Sequence, residues 1–223
     1  MLTAFPGQCH TQSMRPRPLL FAAFIATGLL SLTACAGDAV PGAEVPRTLP
    51  PYVAFPQPTL TGDELVGQGT VLQQGDAEPQ LCLGGIMESY PPQCSGPTIL
   101  GWDWSLAQYS ETASGVTWGT YAVFGTWDDT AFTQTQPPIP LSLYSPIGSP
   151  DLRQDPENAG VSDDATLQDI QAGLNQPQVL TSMPVNGYLW VSVLYDDGTI
   201  QKFVDEQYGE DVVIVQSALL PIS

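Results

Sequence analysis

The sequence predicts an α+β protein: a small, partly open β-barrel-like domain of the oligonucleotide/oligosaccharide-binding type with one disulfide, followed by an α-β-β-β-α-β layer. Three observations predict it. Val116 to Phe124, VTWGTYAVF, is rich in β-branched and aromatic residues and has no polar face, so this strand needs cover on both sides, as in a closed sheet. Leu167, Ile170 and Leu174 recur at helical spacing between a cap at Ser162 or Asp163 and a stop at Pro177, which predicts a helix through Asn175. Beyond it, Asn186-Gly187 and Asp197-Gly198 separate apolar runs with dipeptides that permit primed hairpin turns.

Taken in order, the chain places Arg15 and Arg17 ahead of an apolar run, Leu19 to Leu32, that ends in Leu32-Thr33-Ala34-Cys35. Basic residues, a short apolar run and small residues before a cleavage point describe an export signal. The Cys35 thiol can carry a diacylglyceryl group, and the pattern resembles the bacterial lipobox. A membrane span needs about 20 apolar residues, whereas this run is shorter and interrupted by Thr27, Gly28, Ser31 and Thr33. Residues 1–34 are therefore expected to be a lipoprotein signal peptide, with Cys35 lipidated and the protein held at the extracytoplasmic face of the cell membrane. MRPRPLLFAAF, starting at Met14, would serve as a compact signal by itself, so Met14 is the expected initiator.

All 23 carboxylates lie beyond Cys35, against Arg47, Arg153 and Lys202 as the only cations there. Nucleic-acid affinity comes mainly from Lys and Arg displacing counterions around phosphates, and three scattered cations do not supply it. The same balance excludes an electrostatic hold on anionic lipid, so attachment rests on acyl chains at Cys35, of which two or more hold firmly. With Cys35 modified, Cys82 and Cys94 remain and are expected to pair in an exported protein, stabilising it by about 3 kcal/mol; two free thiols or metal ligation without histidine are the alternatives.

Residues 35–58, with prolines at 41, 46, 50, 51, 56 and 58, read as a tether. At about 3.1 Å per residue in polyproline II it would reach about 70 Å. Residues 59–145 form the predicted β domain. Its strand candidates are Gly67–Leu72, Gln80–Leu83, Val116–Phe124 running on to Trp127, and Ala131–Thr133, with a turn at Asp128-Asp129. Proline-rich residues 146–161 are a linker, continuing an irregular connection that begins near 134. Residues 162–223 hold the helix, then strands Val179–Ser182, Tyr188–Tyr195 and Gly198–Gln201, a short helix Phe203–Tyr208 closed by Gly209, and a last strand Val212–Val215.

His10 is the sole histidine and is lost on export, so triads that use histidine, histidine zinc sites and imidazole acid/base chemistry are excluded. No phosphate-cradling glycine motif followed by Lys-Ser or Lys-Thr occurs, and no cofactor is expected. Carboxylate chemistry remains. Glycoside cleavage needs two carboxyls, one kept protonated by an apolar setting; Asp103, flanked by Trp102 and Trp104, is the candidate, with Glu88, Asp128 or Asp129 as partner. The competing reading makes Asp103 an acceptor of backbone hydrogen bonds in a turn below the tryptophans. Asp128-Asp129, Asp163-Asp164 and Asp196-Asp197 look like turn and cap residues before they look like calcium ligands, so no metal ligand is assigned. Trp102, Trp104, Trp118, Trp127, Tyr90 and Tyr121 offer rings for stacking on sugars, against the commoner role of core and rim packing.

The segment CLGGIMESYPPQCSGPTILGWDW, with the later GTYAVFGTWDDTAF and YDDGTIQKFVDEQYG, resembles an uncharacterised family of secreted proteins and lipoproteins of actinobacteria. The resemblance implies a shared, exported cysteine-loop scaffold, anchored in some members, and brings no activity, ligand or catalytic residue. Together these readings predict a lipid-anchored envelope protein that binds or scaffolds without catalysis, its partners being membrane lipid through Cys35 and a cell-wall polymer or another envelope protein. Trp102, Asp103 and Trp104 are the expected binding face. The rival is a carboxylate-based hydrolase acting on wall glycan.

Overall fold

The computed structural model describes residues 54–145, 150–174 and 176–222. The signal segment, Met14, Cys35 and the tether up to residue 53 lie outside them. The organising strand is β5 (Val116–Trp127), whose odd-numbered residues Tyr121, Val123 and Trp127 face the barrel core. Its even-numbered face is covered as well. Trp118 meets Tyr90 of the cysteine loop with ring centroids 5.3 Å apart, and Phe124 meets Tyr144 at 6.1 Å. Apolar residues on both faces are thus explained by a filled interior and by loops packed outside.

Strand β1 (Leu65–Gln74) runs antiparallel to β5 along its whole length, from Leu65 opposite Gly125 to Gln74 opposite Val116. Its other edge takes β2 (Gln80–Cys82) at Thr70–Leu72. Strand β2 pairs with β3 (Thr98–Leu100), β3 lies parallel to β6 (Ala131–Gln134), and β6 returns antiparallel to β5. The path β1-β2-β3-β6-β5-β1 closes a five-stranded barrel, leaving no free edge along it. β4 (Glu111–Ala113) and β7 (Ile139–Pro140) add to β5. Glycine is required where strands crowd: a Cβ on Gly69 would fall 2.3 Å from the Cys82 carbonyl oxygen, and one on Gly119 would fall 2.3 Å from the Tyr121 hydroxyl. Leu65, Val71, Leu81, Ile99 and Phe132 complete the core. Cys82 and Cys94 are bonded, as expected, with Cα atoms 6.0 Å apart.

The second sheet is β10-β9-β8, from β8 (Val179–Val185), β9 (Tyr188–Val193) and β10 (Val213–Ser217). β8 and β9 meet at Asn186-Gly187, both at positive φ as a primed turn demands. Helix α1 (Asp164–Gly173) is capped by Asp163, whose carboxylate accepts the Thr166 N–H at 2.9 Å. Buried residues of α1 (Leu167, Ile170) and of α2 (Thr199–Tyr208; Ile200, Val204) join Leu189, Val191 and Val193 in one core.

Three expectations need correction. Gly198–Gln201 is not a strand but the entry to α2, because Asp196 Oδ1 accepts the Ile200 N–H at 2.8 Å and Asp197 Oδ1 the Thr199 N–H at 3.1 Å, turning the Asp-Asp-Gly into a helix start rather than a hairpin. The short helix expected from Phe203 therefore begins four residues earlier. The proline-rich segment is not free to its end: Phe55 is 4% exposed in the second core, 6.1 Å from the Phe203 ring, and its N–H donates to Gln176 Oε1.

The last strand also crosses between sheets. β11 (Leu219–Pro221) leaves β10 through Ala218, whose N–H donates to the Val193 carbonyl, and pairs with β1 at Leu65–Gly67, burying Leu219 completely in the barrel core. The intervening connection holds 3-10 turns at Leu141–Leu143, Leu152–Gln154 and Pro156–Asn158. Among the described residues no helix is long and apolar enough to cross a membrane.

Candidate functional site

Trp102, Asp103 and Trp104 sit in a turn entered through Gly101 at φ +78° and fastened by the Leu106 N–H to the Asp103 carbonyl at 3.1 Å. The two rings pack edge to face at 5.2 Å, and Trp102 leans on Tyr121 at 5.4 Å, so both half-buried rings close one part of the barrel. Trp104 Nε1 donates to Gln73 Oε1. Trp102 Nε1 and the Tyr121 hydroxyl are buried without a hydrogen bond of standard geometry, two polar atoms on facing rings. Burial pushes the Tyr121 phenol up, with the Ser110 hydroxyl opposing.

Asp103 is exposed. The Ser105 hydroxyl and N–H, the latter at 2.8 Å, hold its carboxyl below the usual range. That is the behaviour of a turn acceptor, the reverse of the raised carboxyl that a glycoside acid needs. Asp128 acts alike, accepting the Ala131 and Thr130 N–H groups at 2.8 and 2.9 Å, with Ala131 the main cause of its lowered pKa. Glu88 is exposed on the cysteine loop. The described residues contain no group of three or more His, Cys, Asp or Glu placed to hold a metal ion.

A cleft of about 1180 Å³ opens elsewhere, between the barrel and the second sheet. Its barrel wall is Gly84-Gly85 and Ser95-Gly96-Pro97, the stretches that follow each cysteine of the disulfide, together with Trp127, Asp129 and Thr130 at the β5–β6 turn. The opposite wall is residues 176–180, from the turn after α1 into the start of β8, with Leu194 and Tyr195 after β9; Ala54, Phe55, Gln57 and Pro58 complete it. The walls touch at Gly84, where a Cβ would lie 3.3 Å from Leu180 Cβ, and Gly96 lies so close to the Leu81 carbonyl that only glycine fits. Tyr195 is half-buried; burial, then the charges of Asp197, Asp63 and Asp196, raise its pKa.

None of Trp102, Asp103 and Trp104 lines this cleft, and of the six aromatics singled out in the sequence only Trp127 does. In the sequence Tyr195 closes the apolar run Tyr188–Tyr195, and its neighbours carry no signal of a cavity wall. Among the described residues, the one charged side chain lining the cleft is Asp129. Arg153 is held elsewhere, by Asp151 at 2.7 Å and Asp211 at 3.1 Å and over the Trp190 ring, and Lys202 lies 3.9 Å from Glu206. Compared with known family models, curated proteins and solved structures, the chain matches none.

Proposed function

We propose that this is an extracytoplasmic lipoprotein, held on the membrane by acyl chains at Cys35, whose folded part is a non-catalytic binding module of the cell envelope. The observation that carries the binding reading is the cleft: a concavity of about 1180 Å³, walled by two separate packing units and braced by a disulfide. The anchor reading rests on Arg15, Arg17, the apolar run and Leu32-Thr33-Ala34-Cys35, and on the resemblance to secreted actinobacterial lipoproteins. The barrel is of the oligonucleotide/oligosaccharide-binding type, a reading supported by β1 pairing on both edges and by β3 lying parallel to β6. Nucleic acid is an unsuitable occupant, because no cation among the described residues lines the cleft.

The rival, a carboxylate-based hydrolase, calls for a carboxyl kept protonated by an apolar setting. Glu64, Asp103, Asp128, Asp151, Asp163 and Asp197 are all displaced downward by hydrogen-bond donors. Two experiments test the proposal. Cells fed an alkyne fatty acid should label the wild type and leave Cys35→Ala unlabelled and shed into the medium; a wild type that takes no label defeats the anchor. The detergent-purified full chain should sediment with purified wall or be captured by a second envelope protein; failure of both defeats the binding module.

A further inference from the structure

Resting on the reading of the cleft as a binding site, we infer that its occupant is an uncharged carbohydrate chain, laid against Tyr195 and the exposed edge of Trp127. Three features of the lining select that chemistry. The first is charge. Among the described residues Asp129 is the one carboxylate in the walls and no Lys or Arg lines them, so phosphate, uronate or nucleotide would meet uncompensated repulsion with no ion to pair. The second is the kind of polar group. Amides of Gln57 and Gln178 and hydroxyls of Ser95 and Thr130 both donate and accept, and the Asp129 carboxylate accepts, as hydroxyl and acetamido groups require. The third is aromatic surface: the half-buried Tyr195 offers part of its ring, and Trp127, 8% exposed with its body in the barrel core, adds an edge, apolar surfaces that suit the C–H faces of sugar rings.

Size points the same way. The cleft exceeds the roughly 300–1,000 Å³ of sites built for one small molecule, so it fits a run of linked units better than a single one. Glycine shapes the barrel wall. Gly85 lines the cleft with nothing within 4 Å of a built Cβ, and its φ is not in the left-handed region, so a larger side chain there enters open space without disturbing the fold.

The test measures binding of the detergent-purified full chain to a fluorescent tetramer of N-acetylglucosamine and to the same tetramer fully deacetylated, at low and high salt. The expected result is saturable binding of the neutral tetramer, little changed by salt, and weakened at least tenfold by Gly85→Leu and by Tyr195→Ala. Melting curves accompany both variants; Gly85→Leu should melt with the wild type, so it reports on the cleft even where Tyr195→Ala loosens the fold. Binding of the cationic tetramer alone, abolished by salt, overturns the assignment. So does absence of binding to either tetramer, or binding that Gly85→Leu leaves intact. If the protein still sediments with whole wall under those outcomes, the binding module stands and only the ligand class falls.

Discussion

Removing the Cys82–Cys94 bridge tests the link between the fold and the cleft. The two cysteines are 12 residues apart, and closing a loop of that size stabilises by about 3 kcal/mol through lost unfolded-state entropy. For a folded unit of this size each kcal/mol moves Tm by roughly 2–4 °C, so loss of the bridge should lower Tm by about 6–12 °C. The native side argues against much relief. Cys82 is 1% exposed on β2, and the residues after each cysteine, Gly84-Gly85 and Ser95 to Pro97, form one wall of the cleft. Cys82→Ala/Cys94→Ala and the reduced wild type should therefore melt together, well below the oxidised wild type, in thermal scans with thiols counted by mass spectrometry. Glycan affinity should fall in both at temperatures where both remain folded. A reduced wild type with two free thiols and an unchanged Tm would refute the reasoning.

Other expectations concern packing and charge. Gly119→Ala should cost about 1–3 kcal/mol by overpacking, since its Cβ would meet the fully buried Tyr121 ring, and Gly85→Ala should cost nothing measurable in the same urea titration. Phe55→Ala should cost about 3–5 kcal/mol, read from the urea midpoint, because the ring belongs to the second core. Stability should also fall in acid: the folded state holds Glu64 below 4.5 and Asp103, Asp128, Asp151, Asp163 and Asp197 below 3.8, so it binds fewer protons than the unfolded chain. Their contribution is complete above those values and lost as pH falls through the depressed ones, and urea midpoints down to pH 2 measure it. At the alkaline end burial holds Tyr121 and Tyr208 above 10.0, so stability should fall again as pH rises beyond that value.

Local signals were legible where one short stretch decides its own structure. The Asp163 cap, the Asn186-Gly187 turn and the two-faced apolar run of β5 each declare themselves within a dozen residues. Asp197-Gly198 shows the limit, since the same dipeptide serves a hairpin or a helix start and the choice lies with the carboxylates of Asp196 and Asp197 reaching forward to α2. Strands β3, β4 and β11 have three residues each, too few for any period to appear, and they exist because longer strands lie beside them. The cleft was hidden for a related reason. Its walls come from residues 54–58, 84–97, 127–130 and 176–195, and no spacing in the sequence relates a glycine pair at 84 to a tyrosine at 195.

The same long-range contacts argue that the cleft is a fixed feature rather than a gap between loosely joined parts. The chain connects the two cores more than once. Residues 55 to 59 are tied to the second unit, by the Phe55 N–H to Gln176 and the Thr59 N–H to Asp197 at 3.0 Å, before the chain enters β1. At the other end, the Leu219 N–H donates to the Leu194 carbonyl at 3.0 Å while the Leu219 side chain fills the barrel core. Leu194 and Tyr195, which line the cleft, pack against that same core. Opening the cleft by hinge motion would expose Leu219, which is completely buried, at about 1.5–3 kcal/mol for a side chain of that kind, and break hydrogen bonds at both ends of the chain. A ligand therefore meets walls already set, with little ordering cost on binding. Leu219→Ala, whose side chain does not line the cleft, should then weaken glycan binding as well as lower Tm, and unchanged affinity in the folded variant would count against a preset cleft.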